Sequence, residues 1–417
     1  MKEELLHYIW QQKFLVNQPL KTTAGQIVSI IKPGSINTDA GPDFFNAHIR
    51  IEDTLWVGNV ELHIKSSDWI KHQHHVDEAY NNVILHVVFE HDAELGIPTL
   101  ELKNYLPQSL LHRYLLLQQQ ANFIPCENVL ALPESFKLKQ FLYRIAVERL
   151  SHKCSALEQQ LQQLNQHWES LLYHSLAKYF GMRVNAEPFM LLAKQLPMLL
   201  LQKHKHSKSQ IDALIFGTAG FLNTPSQHQD VLLLNREFHV LQTKYQLNTL
   251  HHSVWKFAKT RPVNFPTNRL AQFSSLVFEA SHLFSKLMES TSLEEACRLL
   301  QTSTNTKIPL NELYPANHVA LKPISKPFAH HLMINVVVPI KFLFGKHMQQ
   351  PALCDQALDW LEQIPGEINF ITRFWKQQGV QQTDAMHSQA LIHLHNHYCK
   401  SHKCLNCAIG HHILQHA

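Results

Sequence analysis

The sequence predicts an α+β protein: residues 1–107 read as a helix, three strands, a second helix and a fourth strand, and residues 108–417 as a mainly helical domain. Three observations carry this reading. The chain opens with apolar residues at the helical period, and β-branched or alternating runs replace that period; leucine- and glutamine-rich segments restore it beyond residue 107. At 417 residues the chain is too long for one ordinary core, so more than one domain is expected.

In the first region, Leu5, Leu6, Ile9, Trp10, Phe14 and Leu15 form one broad apolar face over residues 3–16. Residues 25–31, 44–51, 55–64 and 82–89 read as strands, with turn signals at Pro33-Gly34 and Glu52-Asp53. Between the last two strands, Ser66 or Ser67 is placed to cap a short helix holding Trp69. Trp56 and Trp69 are expected to pack near the sheet because of their large apolar surfaces. Helices follow at residues 110–119, 136–164 and 168–180, with breaks expected at 223–225, 261–266 and 302–309. Residues 332–344 are apolar and β-branched from Ile334 to Val338, but Pro339 interrupts them, and a buried helix is the preferred reading.

Composition narrows the function classes. The apolar share of 45% is ordinary, charged residues at 17% are sparse, and histidine, at 31 residues, is the abundant type. A net charge of +4 is too small to demand a nucleic-acid partner. No apolar run reaches the roughly 18 residues of a membrane span, and the first residues carry Glu3 and Glu4 without a signal-like apolar core. A cytoplasmic location and no membrane partner are therefore expected. Seven cysteines, an odd number, fit metal binding or burial better than a disulfide framework.

Chemistry concentrates between Gly41 and Trp69. Side chains alternate along a strand, so Glu61, His63 and Lys65 share one face, and a hairpin can bring Asp43 beside them. Paired carboxylates suit a hard divalent ion, Mg2+ or Mn2+; a turn aspartate and a solvated strand face are the structural alternatives. Farther along, His72 with His75, or His74 with Asp77, can approach the carboxylates if the second helix extends that far. His86 reads as a hydrogen-bonded histidine within the sheet.

A second set lies in the tail. Cys399, Cys404 and Cys407 have C-x4-C-x2-C spacing and can converge on one soft metal. Cys126 is the first choice for the fourth ligand, with His397, His402 and His411 as alternatives, and spacing alone does not separate zinc from an iron–sulfur cluster. Cys154, Cys297 and Cys354 stand singly in apolar surroundings and read as packing. Arg261 and Arg269 suit either a phosphate clamp or helix punctuation, and Lys203, Lys205 and Lys208 read as a solvated loop. The sequence has no glycine-rich phosphate loop, GxSxG elbow or HExxH motif.

The N-terminal order, with Pro42-Asp43 and Glu61-Leu62-His63, resembles the PD-(D/E)xK nuclease superfamily over residues 1–92. Residues 40–44, 56–63, 66–69, 81–88 and 261–266, with the cysteine-rich tail, resemble the bacterial proteins grouped as domain-of-unknown-function family 2851. The first resemblance implies an αβββαβ core, Asp43 and Glu61 as magnesium ligands, and a lysine position occupied here by His63. A neutral His63 can act as a general base near pH 7 or bind a softer metal; if protonated it can stabilise phosphate charge. Lys65, one pleat and roughly 6–7 Å further on, is the candidate replacement for the missing ammonium. The cysteine spacing loosely resembles the iron–sulfur arrangement of some helicase-associated nucleases. The implied function is metal-dependent hydrolysis of nucleic-acid phosphodiesters, DNA or RNA. The alternative is a non-catalytic nucleic-acid-binding or assembly protein that keeps the fold.

Overall fold

The computed structural model describes residues 2–119, 122–223, 226–303, 309–313 and 321–416. The expected breaks at 223–225 and 302–309 fall largely outside the described residues. Two compact units emerge, Met1–Leu142 with His393–Ala417, and Tyr143–Ile392. The first carries the sheet and the second is helical, so the α+β class expected from the sequence is the architecture observed.

The sequence assigned the tail to the helical domain, whereas contacts group it with the N-terminal residues. Its helical period is a local property and does not say which core it joins. Side-chain bonds decide that: Arg113 donates to the carbonyls of Ile413 and His416 at 2.9 and 2.6 Å, and the Tyr8 hydroxyl lies 2.6 Å from His411 Nδ1.

Helix α1 (Glu3–Gln12) buries Leu5, Leu6, Ile9 and Trp10, the apolar stripe read from the sequence. The sheet contains β1 (Leu20–Lys21), β2 (Ile27–Lys32), β3 (Ser35–Ile36), β4 (Phe44–Ile51), β5 (Thr54–Lys65), β6 (Val83–Glu90) and β7 (Thr99–Glu101). Its order is β1-β2-β4-β5-β6-β7, with β3 paired to β4. Strands β2, β4 and β5 pair antiparallel; β5 with β6, and β6 with β7, pair parallel. The short strands β1, β3 and β7 escaped the sequence reading because two or three residues hold no period.

Strand β5 has two environments. Thr54 to Val57 project as an exposed hairpin with β4, while Val60 to His63 are buried between β4 and β6. This places Trp56 at the exposed end of the strand, 47% accessible, whereas Trp69 is buried as expected. Helix α2 (Asp68–Lys71) is not capped by a serine side chain. Ser67 Oγ donates instead to Asp92 Oδ2 at 2.9 Å, and Ser66 Oγ accepts the Asp92 and Ala93 N–H groups at 2.9 and 2.8 Å. The serine pair therefore ties β5 to the end of β6.

After α3 (Gln108–Gln119) and α4 (Ser135–Gln163), helices account for most of the described residues. The segment Lys326–His347 is the one described helix long and apolar enough to cross a membrane, and 78% of its most apolar window is buried within the protein. Five residues, Met333–Val337, widen to a π-turn just before Pro339, which has no N–H to donate. Lys341 is fully buried in this helix and donates to the carbonyls of Leu287, Met288 and Ser290 at 3.2, 2.8 and 3.2 Å. It thereby satisfies the open C-terminal end of helix Leu283–Glu289. Arg269 is likewise structural: its guanidinium lies 3.4 Å from the Phe328 ring centre and donates to Gln272 and Asn264. Lys205 and Lys208 are engaged with Ala280 and Asp212 rather than forming a solvated loop.

Gly58 lies tightly against the start of β6. A Cβ there would stand 2.4 Å from Ile84 Cγ2 and 2.7 Å from the Asn82 carbonyl oxygen. Gly58→Ala is expected to destabilise the protein by about 1–3 kcal/mol through overpacking, measured as a lowered midpoint in chemical denaturation.

Candidate metal centre

The loop before β4 is organised by Asn37. Its amide donates to the carbonyls of Asp39, Ala40 and Pro42 at 3.1, 3.3 and 3.1 Å, and its N–H donates to the Asp43 carbonyl at 2.7 Å. Three residues on, Asn46 has φ 53° and the β4–β5 register shifts between Phe44 and Ala47. Such a bulge re-aims the side chains beside it. Asp43 consequently meets β5: its N–H donates to Glu61 Oε2 at 3.0 Å, and its Oδ2 accepts the Leu62 N–H at 2.9 Å. The hairpin expected to join the two carboxylates is thus present.

Glu61 and His63 share a face, and both are buried. Glu61 Oε1 lies 3.6 Å from His63 Nε2 and 3.3 Å from His74 Nε2. His63 Nε2 lies 3.1 Å from His72 Nδ1, and its other nitrogen, Nδ1, lies 2.9 Å from His86 Nε2. Trp69 and Tyr80 wall the cluster: Tyr80 stacks on His74 at 3.8 Å between ring centres, and Trp69 packs against His74 and His86 at 5.4 and 5.3 Å. One ring nitrogen each from His63, His72 and His74 all fall within 4.8 Å of one another.

Burial sets the protonation. It pushes the Glu61 carboxyl up to about 8, with the Asp43 charge adding to the effect. It pushes His63 down to about 4 and His86 down to about 3, in each case reinforced by neighbouring imidazoles. At pH 7 Glu61 is mostly protonated and these rings are neutral, so the contacts are hydrogen-bond-like rather than ion pairs. On the Asp43 side, His7 Nε2 approaches Oδ2 at 3.2 Å. Burial opposes charge on His7, but the Asp43 carboxylate outweighs it and raises the pKa.

The sequence pattern of the family described as "Protein of unknown function (DUF2851)" matches residues 3–370. The chain belongs to this family. The DUF2851 match takes in Asp43, Glu61 and all four central histidines and ends before Cys399. No curated protein and no solved structure matches the chain at a significant level.

On this DUF2851 chain two side chains depart from the sequence expectation, and a third, His7, joins the site. Lys65 does not turn to the carboxylates: it is half exposed, with its ammonium 3.9 Å from Asp92. His72 joins His74 rather than His75, because α2 stops at Lys71 and Gln73 reverses the chain at φ 61°. His7 was not singled out, since one histidine on an apolar helix is an ordinary occurrence; its spacing of four from Glu3 was the only signal.

Cys126, Cys399, Cys404 and Cys407 all belong to the first unit and act on one another electrostatically. Cys126 and Cys404 are buried, Cys399 and Cys407 are half-buried, and all are free thiols. Burial, reinforced by Cys407 and Cys404, pushes Cys126 up to about 12; Cys399 is raised by burial and by Cys407, Cys126 and Cys404. Phe123 stacks on His395 at 4.3 Å, Gln118 donates to the His402 carbonyl at 3.3 Å, and Gly410 packs on the Cys404 carbonyl. Of the alternative ligands, His411 faces Tyr8 and His402 faces the Leu117 carbonyl.

In metal-free protein, raising the folded-state pKa of Glu61 above its unfolded value supplies stability that is full below about pH 4.5 and lost as pH rises through about 8. Glu61→Gln removes that titration. With chelator present, its stability relative to wild type should improve from pH 5 to pH 9 by on the order of a few kcal/mol, as followed by urea denaturation.

Proposed function

We propose that the first unit hydrolyses nucleic-acid phosphodiesters with a divalent metal, Mg2+ or Mn2+, held by Asp43 and Glu61. The observation that carries this reading is the pairing of the two carboxylates across β4 and β5 at the edge of a parallel β5–β6 pair. With the short strands β1, β3 and β7 set aside, the order α1, β2, β4, β5, α2, β6 is compatible with the αβββαβ order that the nuclease resemblance implies, and α1 packs against β5. A buried Glu61 beside the half-buried Asp43 carboxylate fits a cation, because the ion removes the cost that raises the Glu61 pKa. When bound, it supplies Lewis acidity and a more acidic water. His63 is neutral and serves as an electron-pair donor where the nuclease pattern has an ammonium.

The replacement of that lysine by His63, with Lys65 turned to Asp92, favours a second reading: a binding or assembly protein that keeps the fold without cleavage. Asp43→Asn and Glu61→Gln should each abolish Mg2+- or Mn2+-dependent cleavage of DNA or RNA while leaving circular dichroism unchanged. His63→Lys should retain or increase it. Absence of cleavage by wild type and His63→Lys across single- and double-stranded substrates would establish the second reading.

For Cys126, Cys399, Cys404 and Cys407 the reading is a structural metal, zinc or an iron–sulfur cluster, fastening the tail to the loop after α3. Purified protein should contain near-stoichiometric zinc or iron, and Cys404→Ser with Cys407→Ser should lose it and lower the melting temperature. Metal-free wild type of undiminished stability would remove this assignment.

A further inference from the structure

Glu61 has two differently furnished sides. Oε2 is turned to the Asp43 N–H, and Oε1 is turned to the imidazoles. We propose that the imidazole side is a distinct transition-metal site, of zinc type, in which His63, His72 and His74 supply nitrogen ligands and Glu61 Oε1 supplies the oxygen.

The donor spacing carries the proposal. Ligands bound at about 2.0–2.1 Å around one tetrahedral ion stand about 3.3–3.4 Å apart. The separations found are 3.1 Å from His63 to His72, 3.3 Å from Glu61 to His74, and 3.6 Å from Glu61 to His63. They bracket that edge length. The donor type then selects the ion: imidazole nitrogen suits zinc, nickel, copper or iron, whereas Mg2+ takes oxygen ligands and retains its waters.

The surroundings are those a metal ligand needs. His86 Nε2 stands 2.9 Å from the far nitrogen of His63 and fixes its ring, and Tyr80 and Trp69 hold the plane of His74. His63 is buried at the base, while His72 is exposed at the rim and leaves the ion a path from solvent. The chain accepts a left-handed Gln73, φ 61°, between the two loop histidines, and that reversal brings both rings over His63.

This inference deepens the hydrolytic reading, on which it rests only in taking Glu61 as a ligand, and binding separates the two. Full-length protein stripped with chelator and titrated with Co2+ in excess Mg2+ should take up, beyond any cobalt held by the cysteines, one equivalent whose visible d–d bands come without thiolate charge transfer. His72→Ala, and His72→Ala with His74→Ala, should lose that equivalent with unchanged circular dichroism. Cobalt at the cysteines is distinguished by thiolate charge-transfer bands in the near ultraviolet, which these variants keep. His86→Gln should weaken cobalt binding about 10–100-fold. Asp43→Asn should keep the equivalent while losing Mg2+-dependent cleavage. Equal cobalt uptake and identical visible spectra in wild type and the His72/His74 variant would overturn the site, as would no visible band in wild type. A lost band in that variant with no cleavage by any protein would leave the site standing and remove the hydrolytic reading.

Discussion

Two hydrogen bonds exchanged between backbone and carboxylate hold the N-terminal unit in the arrangement that everything at the metal centre depends on. The Asp43 N–H binds Glu61, and the Leu62 N–H binds Asp43. Each carboxylate satisfies a backbone donor on the other strand, so neither can leave without stranding a polar group in a buried place. The bulge at Asn46 and the Asn37-bound loop serve this exchange by delivering Asp43 at the right height. What results is a glutamate kept largely protonated and surrounded by neutral rings, an environment that a cation would relieve.

The histidine abundance acquires meaning only locally. Most of these residues are dispersed, but His63, His72, His74 and His86 form one contiguous cluster, enclosed by Trp69 and Tyr80. A neutral imidazole has one lone pair to give, and the pKa values of His63, His74 and His86 are lowered by burial and by neighbouring imidazoles. The charge that the buried His63 and His86 rings lack at neutral pH leaves each with a lone pair to donate.

Charged groups elsewhere act as structural ties. In the second unit Lys341 closes a helix end from within the core and lies 4.3 Å from the Trp360 ring, while Arg269 stacks on Phe328. Burying such cations is tolerated because three carbonyls bind the Lys341 ammonium, and two side-chain amide oxygens and the Phe328 face meet the Arg269 guanidinium. This explains why arginine in a proline-bounded segment, which suits a phosphate clamp from sequence, serves packing here.

The α+β class, α1, the four main strands, the long helices after residue 107 and the shared face of Glu61 and His63 were legible in the sequence, because apolar period and strand alternation are properties of neighbouring residues. The sequence also marked Cys126 and the tail cysteines as possible companions. Tertiary structure alone decided the short strands, the pairing of His72 with His74 through a left-handed Gln73, the withdrawal of Lys65 to Asp92, and the joining of the tail to the first unit. Each of these depends on a bulge, a chain reversal or a contact across many residues, and none leaves a period in the sequence that forms it.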